Sequence, residues 1–435
     1  MVNRTLKLSD SLRARYLCLR ILIGVFKKSK TVSQTLEEQG FRFHSFRADE
    51  IARAKRISDF IFVYLQGLDD CIDLYADKKI KLEVRNILRM VVAESFLDEV
   101  PNYAIVNSAV QLSKLSSATK YFSGLINAIS RRILVYVRNG NLILESVLEK
   151  KLRLYLSDFY PDEVIKRIEK LMPQKAPLDI NIKDVEETSY WEKKLIAKKL
   201  PTGTLRLQNH KDLFSLQGFK EGKWWVQGIS SSIPVKTLGQ IAGLEVLDLF
   251  SAPGGKAMQL ISAGAKVTCL DFSKKRLEIL KKNLIRMKMN AKIINSDIKK
   301  FESQKKYDII VIDAPCSSSG TIIKNKDLPH LFPVERIPDL TATQDESLDL
   351  ARKSVKEDGT ILYCTCSLFP TESEERISKF LTVNKDWKQK VICPEEHGID
   401  EEWVDSKGGL RLRPDHLFDF GGMDGFYAAI LTQNP

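Results

Sequence analysis

Two cysteines follow short apolar runs that predict buried parallel strands. Cys316 ends one such run, residues 307–316, and Cys366 ends another, residues 359–366. A third run of the same kind leads into a glycine turn at residues 251–256. Because open α/β sheets bind ligands at the carboxyl ends of their strands, we expect both thiols and the turn at one edge. The pattern therefore predicts a cofactor site with a thiol nucleophile beside it.

The glycine turn lies at a predicted strand-to-helix junction. Gly254 and Gly255 would let a ligand approach the backbone closely, and the helix N-terminus would offer free N–H groups. The turn has neither the Gly-Lys-Ser/Thr of a Walker A loop nor the spaced Gly-x-Gly-x-x-Gly fingerprint. Taken alone, it fits an ordinary tight turn as well as it fits a ligand site.

Two carboxylates favour the ligand site. Asp271 ends the second predicted strand, about 20 residues after the glycine turn, where it could accept hydrogen bonds from ribose hydroxyls. Asp297 ends the third predicted strand and could meet an adenine amino group. Either residue could instead be a helix cap or a solvated loop carboxylate. Glycines and carboxylates together predict an adenosine-containing cofactor.

The fourth predicted strand ends in Asp-Ala-Pro-Cys, residues 313–316, where the proline fixes the directions of its neighbours. A thiol becomes a useful nucleophile only where the site lowers its pKa or the substrate activates it. Residues 364–366 contain two cysteines, but no histidine or further cysteine lies nearby, so no metal site is predicted. A buried structural role is the usual one for a lone cysteine, and we assign it to Cys18, Cys71, Cys269 and Cys364.

A thiol beside an adenosine cofactor suits one difficult methylation. C5 of cytosine is a poor nucleophile toward a sulfonium methyl group, but addition of a thiolate to C6 makes the ring an enamine-like nucleophile. A carboxylic acid hydrogen-bonded at N3 would stabilise the charge that develops on the ring. The C5 proton must then leave and the thiol must be eliminated, steps that a second thiol could assist.

Three regions are predicted along the chain. Residues 1–165 carry apolar positions at helical spacing, including those at 82–96 and 129–137, and predict an all-α bundle. Residues 166–240 are punctuated by proline and glycine and predict a small α+β insert or linker. Residues 241–435 alternate strands and helices, as in a doubly wound α/β sheet. Besides the two cysteine runs, strands are predicted at 245–250, 266–271, 291–297, 386–391 and 425–432, the last antiparallel, and helices at 254–263, 273–289 and 341–356.

The composition is that of a globular protein with a basic excess. The 435 residues carry a formal net charge of +12 and are 43% hydrophobic, enough for a sizeable core. Residues 1–170 hold 29 basic and 20 acidic residues, and so most of this excess, which predicts a polyanionic partner. The seven cysteines show no regular spacing and do not indicate a disulfide framework. We expect a cytoplasmic monomer with no signal peptide and no membrane association.

These motifs, in this order, resemble the S-adenosylmethionine-dependent RNA 5-methylcytosine methyltransferases of the NOL1/NOP2/Sun family. The resemblance covers most of residues 225–435. It rests on Asp271, Asp297 and four short motifs: Ala-Pro-Gly-Gly-Lys at 252–256, Asp-Ala-Pro-Cys-Ser at 313–317, Thr-Cys-Ser at 365–367 and Asp-Gly-Phe-Tyr-Ala at 424–428. It implies a Rossmann-like class I methyltransferase domain with a mostly parallel seven-stranded sheet.

The resemblance also implies roles for individual residues. Cys366 would attack C6 of cytosine, Cys316 would promote product release, and Asp313 would contact the cytosine ring and the cofactor. The S-adenosylmethionine site would consist of Phe250, Ser251, Ala252, Pro253, Gly254, Gly255, Lys256, Asp271, Asp297 and Asp313. Two residues depart from the family pattern: Ser251 stands where alanine is usual, and Gly228 stands where aspartate is common.

Residues 100–107 and 121–132 resemble the NusB-like domain of the bacterial Sun enzymes, which act on small-subunit ribosomal RNA. This resemblance implies that residues 1–165 form an RNA-binding bundle. The partner would be small-subunit ribosomal RNA, either free or in an early assembly particle. The basic excess of the segment fits such a partner.

Two other functions are compatible with parts of the pattern. A DNA cytosine methyltransferase would use Cys316 as its nucleophile, but the intact Thr-Cys-Ser motif and the N-terminal resemblance argue against it. A catalytically weak ribosome-assembly or RNA-binding factor could keep the fold without the reaction. Degenerate proteins of that kind typically lose the nucleophile or the glycine turn, and this chain has both.

Overall fold

The computed structural model describes residues 8–42, 46–76, 79–97, 100–208, 213–331 and 334–434. The chain divides into two compact units, one of Met1–Leu154 with Asn325–Phe332 and one of Tyr155–Lys324 with Pro333–Pro435. Within the described ranges, no helix is both long enough and apolar enough to cross a membrane.

The first unit is all-helical, as predicted. Its apolar residues recur at helical spacing and are buried in one core, to which Ile57, Ile61, Leu88 and Ile133 contribute. Its helices are α1 (Asp10–Lys28), α2 (Val32–Arg42), α3 (Ala48–Val63), α4 (Leu65–Asp73), α5 (Leu82–Leu97), α6 (Asn102–Lys114) and α7 (Ser123–Arg138).

A short segment from far along the chain packs into this helical unit. Asp327 accepts a hydrogen bond from the backbone N–H of Val32, at the start of α2, over 2.8 Å. His330 Nε2 lies 2.8 Å from the carbonyl oxygen of Phe62 in α3. Asn325–Phe332 therefore belongs to the first unit, although both flanking segments belong to the second.

The second unit contains a small antiparallel sheet of β1 (Leu178–Ile182), β2 (Ala197–Lys199), β3 (Leu205–Leu207) and β4 (Trp224–Val226), in the order β2-β3-β1-β4. Asp179 on β1 and Arg206 on β3 form a buried bidentate ion pair, with N–O distances of 2.7 and 2.9 Å. Arg206 also donates to the carbonyl oxygens of Phe420 and Gly422, which ties this sheet to the C-terminal part of the same unit. The helices here are α8 (Lys150–Ser157), which spans the boundary between the units, α9 (Asp162–Leu171) and α10 (Thr188–Lys194).

A larger mixed sheet with a parallel core forms the rest of the second unit, and the predicted fold class is confirmed. Its strands are β5 (Glu245–Leu249), β6 (Lys266–Asp271), β7 (Lys292–Asn295), β8 (Tyr307–Asp313), β9 (Val355–Thr365), β10 (Trp387–Lys390), β11 (Leu410–Leu412) and β12 (Phe426–Gln433). They run in the order β10-β12-β9-β8-β5-β6-β7, and the short strand β11 pairs with β12. Strands β5 to β9 pair in parallel, and β12 is antiparallel to β9, as predicted.

Helices cover both faces of this sheet because its strands are apolar on both sides. Along β8, Ile309 and Val311 join one core cluster, whereas Ile310 and Ile312 join the other. The helices are α11 (Ile229–Lys236), α12 (Gly255–Ser262), α13 (Lys274–Met287), α14 (Ile337–Ser354), α15 (Glu374–Val383) and α16 (Pro394–His397). The carboxyl ends of the five parallel strands consequently share one edge of the sheet.

Candidate active site

The glycine turn connects β5 to α12 at that edge. Phe250 and Gly254 both have left-handed backbone conformations, with φ of 60° and 106°, so the chain reverses sharply before the helix begins. A Cβ atom at Gly254 would lie 2.3 Å from Leu280 Cδ1. Glycine is therefore required here by both conformation and packing. The turn brings the N-terminus of α12, whose first N–H groups have no intrahelical acceptor, to the ligand edge.

A carboxyl group that we did not predict lies beneath this turn. Asp248 on β5 is fully buried, and its Oδ2 accepts a hydrogen bond of 2.5 Å from Ser251 Oγ, the residue that departs from the family pattern. Its Oδ1 has no partner among the described residues. Burial raises the pKa of Asp248 to about 7, and the charge of Asp313 acts in the same direction. An aspartate inside an otherwise apolar strand was the available sequence signal.

Replacing Asp248 with asparagine is expected to remove a pH-dependent loss of stability. The folded-state pKa of about 7 lies above the ordinary value of 3.8, so between these values the folded protein binds more protons than the unfolded one. Wild-type stability should therefore fall as pH rises through this window, and the fall should level off above pH 7. Between about pH 5.5 and 8, this group should cost the wild type about 2 kcal/mol in free energy of unfolding, a loss that Asp248→Asn should not show. Urea unfolding of both proteins at both pH values measures this, and parallel pH profiles would contradict it.

Asp271 connects the glycine turn to the next helix. Its buried carboxylate accepts hydrogen bonds from the backbone N–H groups of Ala252, over 3.3 Å, and Ser273, over 2.9 Å. Arg276 forms an ion pair with it at 3.2 Å and also donates to the carbonyl oxygen of Ala252. The residue lies at the end of β6 where the sequence placed it, and its carboxylate links β6 to both the glycine turn and the start of the next helix.

Asp297 lies two residues beyond β7 and is exposed. Its Oδ1 accepts a hydrogen bond of 3.0 Å from the backbone N–H of Lys299, so it caps a short 3-10 helix at Ile298–Lys300. The structure thus shows the capping role that the sequence left open. It also places this carboxylate just beyond β7, the strand that pairs in parallel with β6, where Asn295 lies opposite Asp271.

A buried lysine joins the glycine turn to the strand that carries Asp313. Lys256 Nζ lies 2.8 Å from Asp313 Oδ2, and the lysine side chain is 4% exposed against 40% for the aspartate. Its amine also donates to Ser231 Oγ over 3.2 Å and lies 4.7 Å from the ring centroid of Phe426. Burial lowers the pKa of Lys256, but the charge and hydrogen bond of Asp313 together with the nearby Cys364 and Asp248 outweigh burial, so the net pKa is raised. The ammonium group therefore stays charged at this edge.

The two cysteines singled out by the sequence meet in space. Cys316 Sγ and Cys366 Sγ are 3.4 Å apart, and both side chains are partly buried. The hydrogen bond between them lowers the pKa of Cys366 against the effect of burial, and the Ser318 hydroxyl, 3.6 Å from Cys366 Sγ, acts in the same direction. The same hydrogen bond, together with burial, raises the pKa of Cys316. Of the pair, Cys366 is the thiol with a second polar neighbour, the Ser318 hydroxyl, that can stabilise its thiolate.

A second residue that we did not predict, Glu372, holds the two cysteine loops together. It is fully buried and accepts hydrogen bonds from the Ser317 backbone N–H over 2.8 Å and from the hydroxyls of Ser317 and Ser367 over 2.5 and 2.6 Å. Gln344 Nε2 approaches the same carboxylate at 3.4 Å and donates to the Pro315 carbonyl oxygen. One carboxylate thus bonds to the neighbours of both Cys316 and Cys366.

Gly228, the second residue that departs from the family pattern, and the cysteines outside the thiol pair need no functional explanation. Gly228 precedes α11 in an extended conformation that any residue can adopt. The four cysteines assigned a structural role are buried, as predicted: Cys18, Cys71, Cys269 and Cys364.

Comparison with known proteins identifies both parts of the chain. Residues 237–432 match the model of the 16S rRNA methyltransferase RsmB/F family, and residues 12–134 match that of the NusB family. The chain is 25% identical over 462 residues to the ribosomal RNA small subunit methyltransferase B of Pasteurella multocida, covering 99% of this chain and 98% of that protein. It is 33% identical over 228 residues to the Shewanella oneidensis protein of the same name, 51% of each chain.

Solved structures share the fold. The structure titled PH0851 superposes with a TM-score of 0.72 at 20% identity, over 96% of this chain and 99% of that one. NSun6 from Pyrococcus horikoshii, solved with SFG, superposes with a TM-score of 0.54 at 18% identity, over 66% of this chain and 98% of that one. Residues 237–432, which contain the parallel-core sheet and the glycine turn, therefore form a methyltransferase region of the RsmB/F family, whose cofactor is S-adenosylmethionine, and residues 12–134 form a region of the NusB family.

Proposed function

We propose that this enzyme methylates C5 of a specific cytosine in small-subunit ribosomal RNA through a covalent bond between Cys366 and C6. The observation that carries the proposal is the pair of thiols 3.4 Å apart at the carboxyl edge of the sheet that also bears the glycine turn. The substrate is supported by the names of the full-length relatives, which are small-subunit ribosomal RNA methyltransferases.

Cys366 is the proposed nucleophile because the Cys316 thiol, 3.4 Å away, and the Ser318 hydroxyl, 3.6 Å away, can both stabilise its thiolate, and its pKa is lowered. Its thiolate would form a bond to C6 and move electron density toward C5, which then takes the methyl group. The cofactor supplies that methyl group as an electrophile. The residues that would hold it are the turn at 250–256, Asp271, Asp297 and Asp313, and the N-terminus of α12 with the two adjacent carboxylates at the ends of β6 and β7 fits an adenosine group.

Cys316 is the proposed base for product release, because the effects of Cys366 that raise its pKa disappear when Cys366 becomes bonded to C6. The hydrogen bond to Cys366 and the charge of that residue both raise the pKa of Cys316. Once Cys366 sulfur is bonded to C6, it carries no charge, so both effects are removed and the Cys316 thiol ionises more readily. A thiolate at Cys316 can then take the C5 proton, and the C5–H electrons restore the ring double bond as the S–C6 bond breaks.

Asp313 is proposed to act on the cytosine ring with Lys256. The ion pair between them lies close enough to the thiols for the charge of Asp313 to raise the pKa of Cys366. The Asp313 carboxylate can take a proton from the Lys256 ammonium and pass it to N3, which leaves a neutral amine on Lys256 and stabilises the ring after thiolate addition. The more exposed Asp313 side chain, 40% against 4% for Lys256, is the member of the pair that can reach a base.

The direct test is the identity of the methylated product. Purified enzyme, S-adenosylmethionine and unmodified small-subunit ribosomal RNA should yield 5-methylcytidine at a single position after nuclease digestion and mass spectrometry. Free RNA and reconstituted small subunits, run in parallel, would show which of them is the substrate. DNA of the same sequence is the control and should remain unmethylated. Methyl groups on another atom would overturn the proposed reaction, and RNA binding without methyl transfer to either substrate would favour an assembly factor.

A further inference from the structure

A groove of about 640 Å³ lies between α6 and α7 in the first unit. Its polar lining includes amide and cationic side chains on both helices: Asn102, Asn107, Lys114, Asn127 and Arg131. Apolar residues such as Val106 and Leu134 form its floor, and both are buried. Nothing in the methyltransferase chemistry derived above uses this groove.

The charge of the groove walls is one-sided. Residues 101–144, which contain both helices, include no aspartate or glutamate and carry five basic residues, Lys114, Lys120, Arg131, Arg132 and Arg138. The described lining residues accordingly include no acidic side chain. A run of 44 residues without an acid is notable in a chain that is 29% charged. Such a surface attracts a polyanion, and no carboxylate among the lining residues competes with that polyanion for the basic side chains.

Exposed aromatic rings accompany this charge. Tyr103 lines the groove and is 77% exposed, and Tyr121, on the segment between the helices, is 82% exposed. Lys120 Nζ lies 4.7 Å from the centroid of the Tyr121 ring, so a cation and an aromatic face are presented together. Inside the groove, Arg131 Nε donates to Asn127 Oδ1 over 3.3 Å, which holds the guanidinium against the α7 surface.

We propose that this groove binds an unpaired stretch of the RNA substrate, with phosphates on Lys114 and Arg131 and a base stacked on Tyr103. Unpaired RNA is recognised by aromatic stacking combined with basic and amide groups, whereas duplex RNA is recognised mostly through its backbone. A protein partner would provide counter-charges for the basic residues of the groove only if its own contact surface were acidic. The inference rests on the proposed RNA substrate and assigns a specific contact surface to it.

The test measures binding of unmodified small-subunit ribosomal RNA transcripts by the full-length enzyme at several salt concentrations. Arg131→Glu should weaken binding about tenfold and reduce the slope of log affinity against log salt by about one. Arg132→Glu is the matched control, because the neighbouring arginine is exposed on the same helix but does not line the groove. Tyr103→Ala should also lose about tenfold, and Tyr103→Phe, which keeps the stacking face, should bind like wild type.

The outcomes separate this surface from the catalytic proposal. Equal losses of RNA affinity in Arg131→Glu and Arg132→Glu, or wild-type RNA affinity in Tyr103→Ala, would overturn the assignment of RNA to the groove. A protein would then be the better candidate for its ligand. Methyl transfer by the same proteins is measured at subsaturating RNA, where the groove variants should lose rate in proportion to their loss of binding and Arg132→Glu should keep the wild-type rate. If wild type binds RNA through the groove but transfers no methyl group, the reaction fails and the groove stands. If methylation occurs while all variants bind RNA equally, the reaction stands and the groove assignment fails.

Discussion

Replacing Cys366 with alanine is expected to abolish both methyl transfer and the covalent enzyme–RNA adduct. Replacing Cys316 with alanine should instead trap RNA on the enzyme. Without the Cys366 thiolate, C5 of cytosine stays a poor nucleophile, and the loss of rate should be at least about 10⁴-fold. Without Cys316, thiolate addition and methyl transfer can proceed, but no group at that position removes the C5 proton, so the S–C6 bond persists.

The geometry explains why the two variants should differ so strongly. The thiols are 3.4 Å apart, yet their pKa values are moved in opposite directions by the same hydrogen bond. Losing Cys316 also removes the donor that lowers the pKa of Cys366. The Cys316→Ala variant should therefore form its adduct more slowly than wild type at neutral pH and recover part of that rate at higher pH.

The measurement is the fraction of labelled RNA that migrates with protein on a denaturing gel after incubation with S-adenosylmethionine. Cys393→Ala is the control, because this cysteine is exposed and lies outside the site. An adduct in Cys316→Ala and none in Cys366→Ala is the expected pattern. The reverse pattern would make Cys316 the nucleophile, as in the DNA-type alternative. Adducts in both single variants would mean that either thiol can attack.

The strands of the methyltransferase domain could be predicted closely because their signal is local. Residues 266–271 form β6 with the predicted bounds, since a β-branched apolar run there is enclosed by turn residues. Strand β9 begins at Val355 instead of residue 359, because residues 355–358 continue the extended chain beside Tyr307 after a register shift. Helix α14 begins at Ile337 instead of residue 341, with Pro338 in its first turn, a start signal that the prediction missed.

The contacts that complete the site could not be predicted because they join residues far apart in sequence. Glu372 meets Ser317 across 55 positions, and Lys256 meets Asp313 across the sheet. For Asp297 the sequence could not distinguish two roles, because a helix cap and a ligand contact both call for an aspartate directly after this strand. Spacing showed which thiols reach the edge, but their shared hydrogen bond and opposite pKa shifts depend on three-dimensional geometry.

Replacing Glu372 with alanine is expected to reduce methyl transfer by about 100-fold or more while leaving cofactor affinity nearly unchanged. The carboxylate bonds to Ser317 and Ser367, the residues that follow the two cysteines. Its removal would leave buried donors unsatisfied, at a cost of about 1–3 kcal/mol for each, and the cysteine loops would move to find new partners. A displacement of about 1 Å between reacting groups can cost 100-fold in rate.

Glutamine at this position should restore most of the activity. The Gln side-chain oxygen can still accept from the Ser317 N–H, and the hydroxyls of Ser317 and Ser367 can rotate to accept from the amide nitrogen. A residue needed only for its negative charge would lose as much with glutamine as with alanine. Recovery by Glu372→Gln therefore distinguishes positioning of the thiols from an electrostatic role.

Single-turnover methyl transfer and equilibrium binding of S-adenosylmethionine, measured on the same preparations, separate the two effects. Glu375→Ala is the matched control, because this glutamate lies three residues further along, in the first turn of α15, and its side chain is 51% exposed. It should keep wild-type values in both measurements. The glycine turn makes no contact with Glu372 among the hydrogen bonds of the described residues, so the dissociation constant for the cofactor should change less than about twofold. A parallel loss of cofactor affinity and rate would show that Glu372 supports the whole edge of the sheet and not the thiol pair alone.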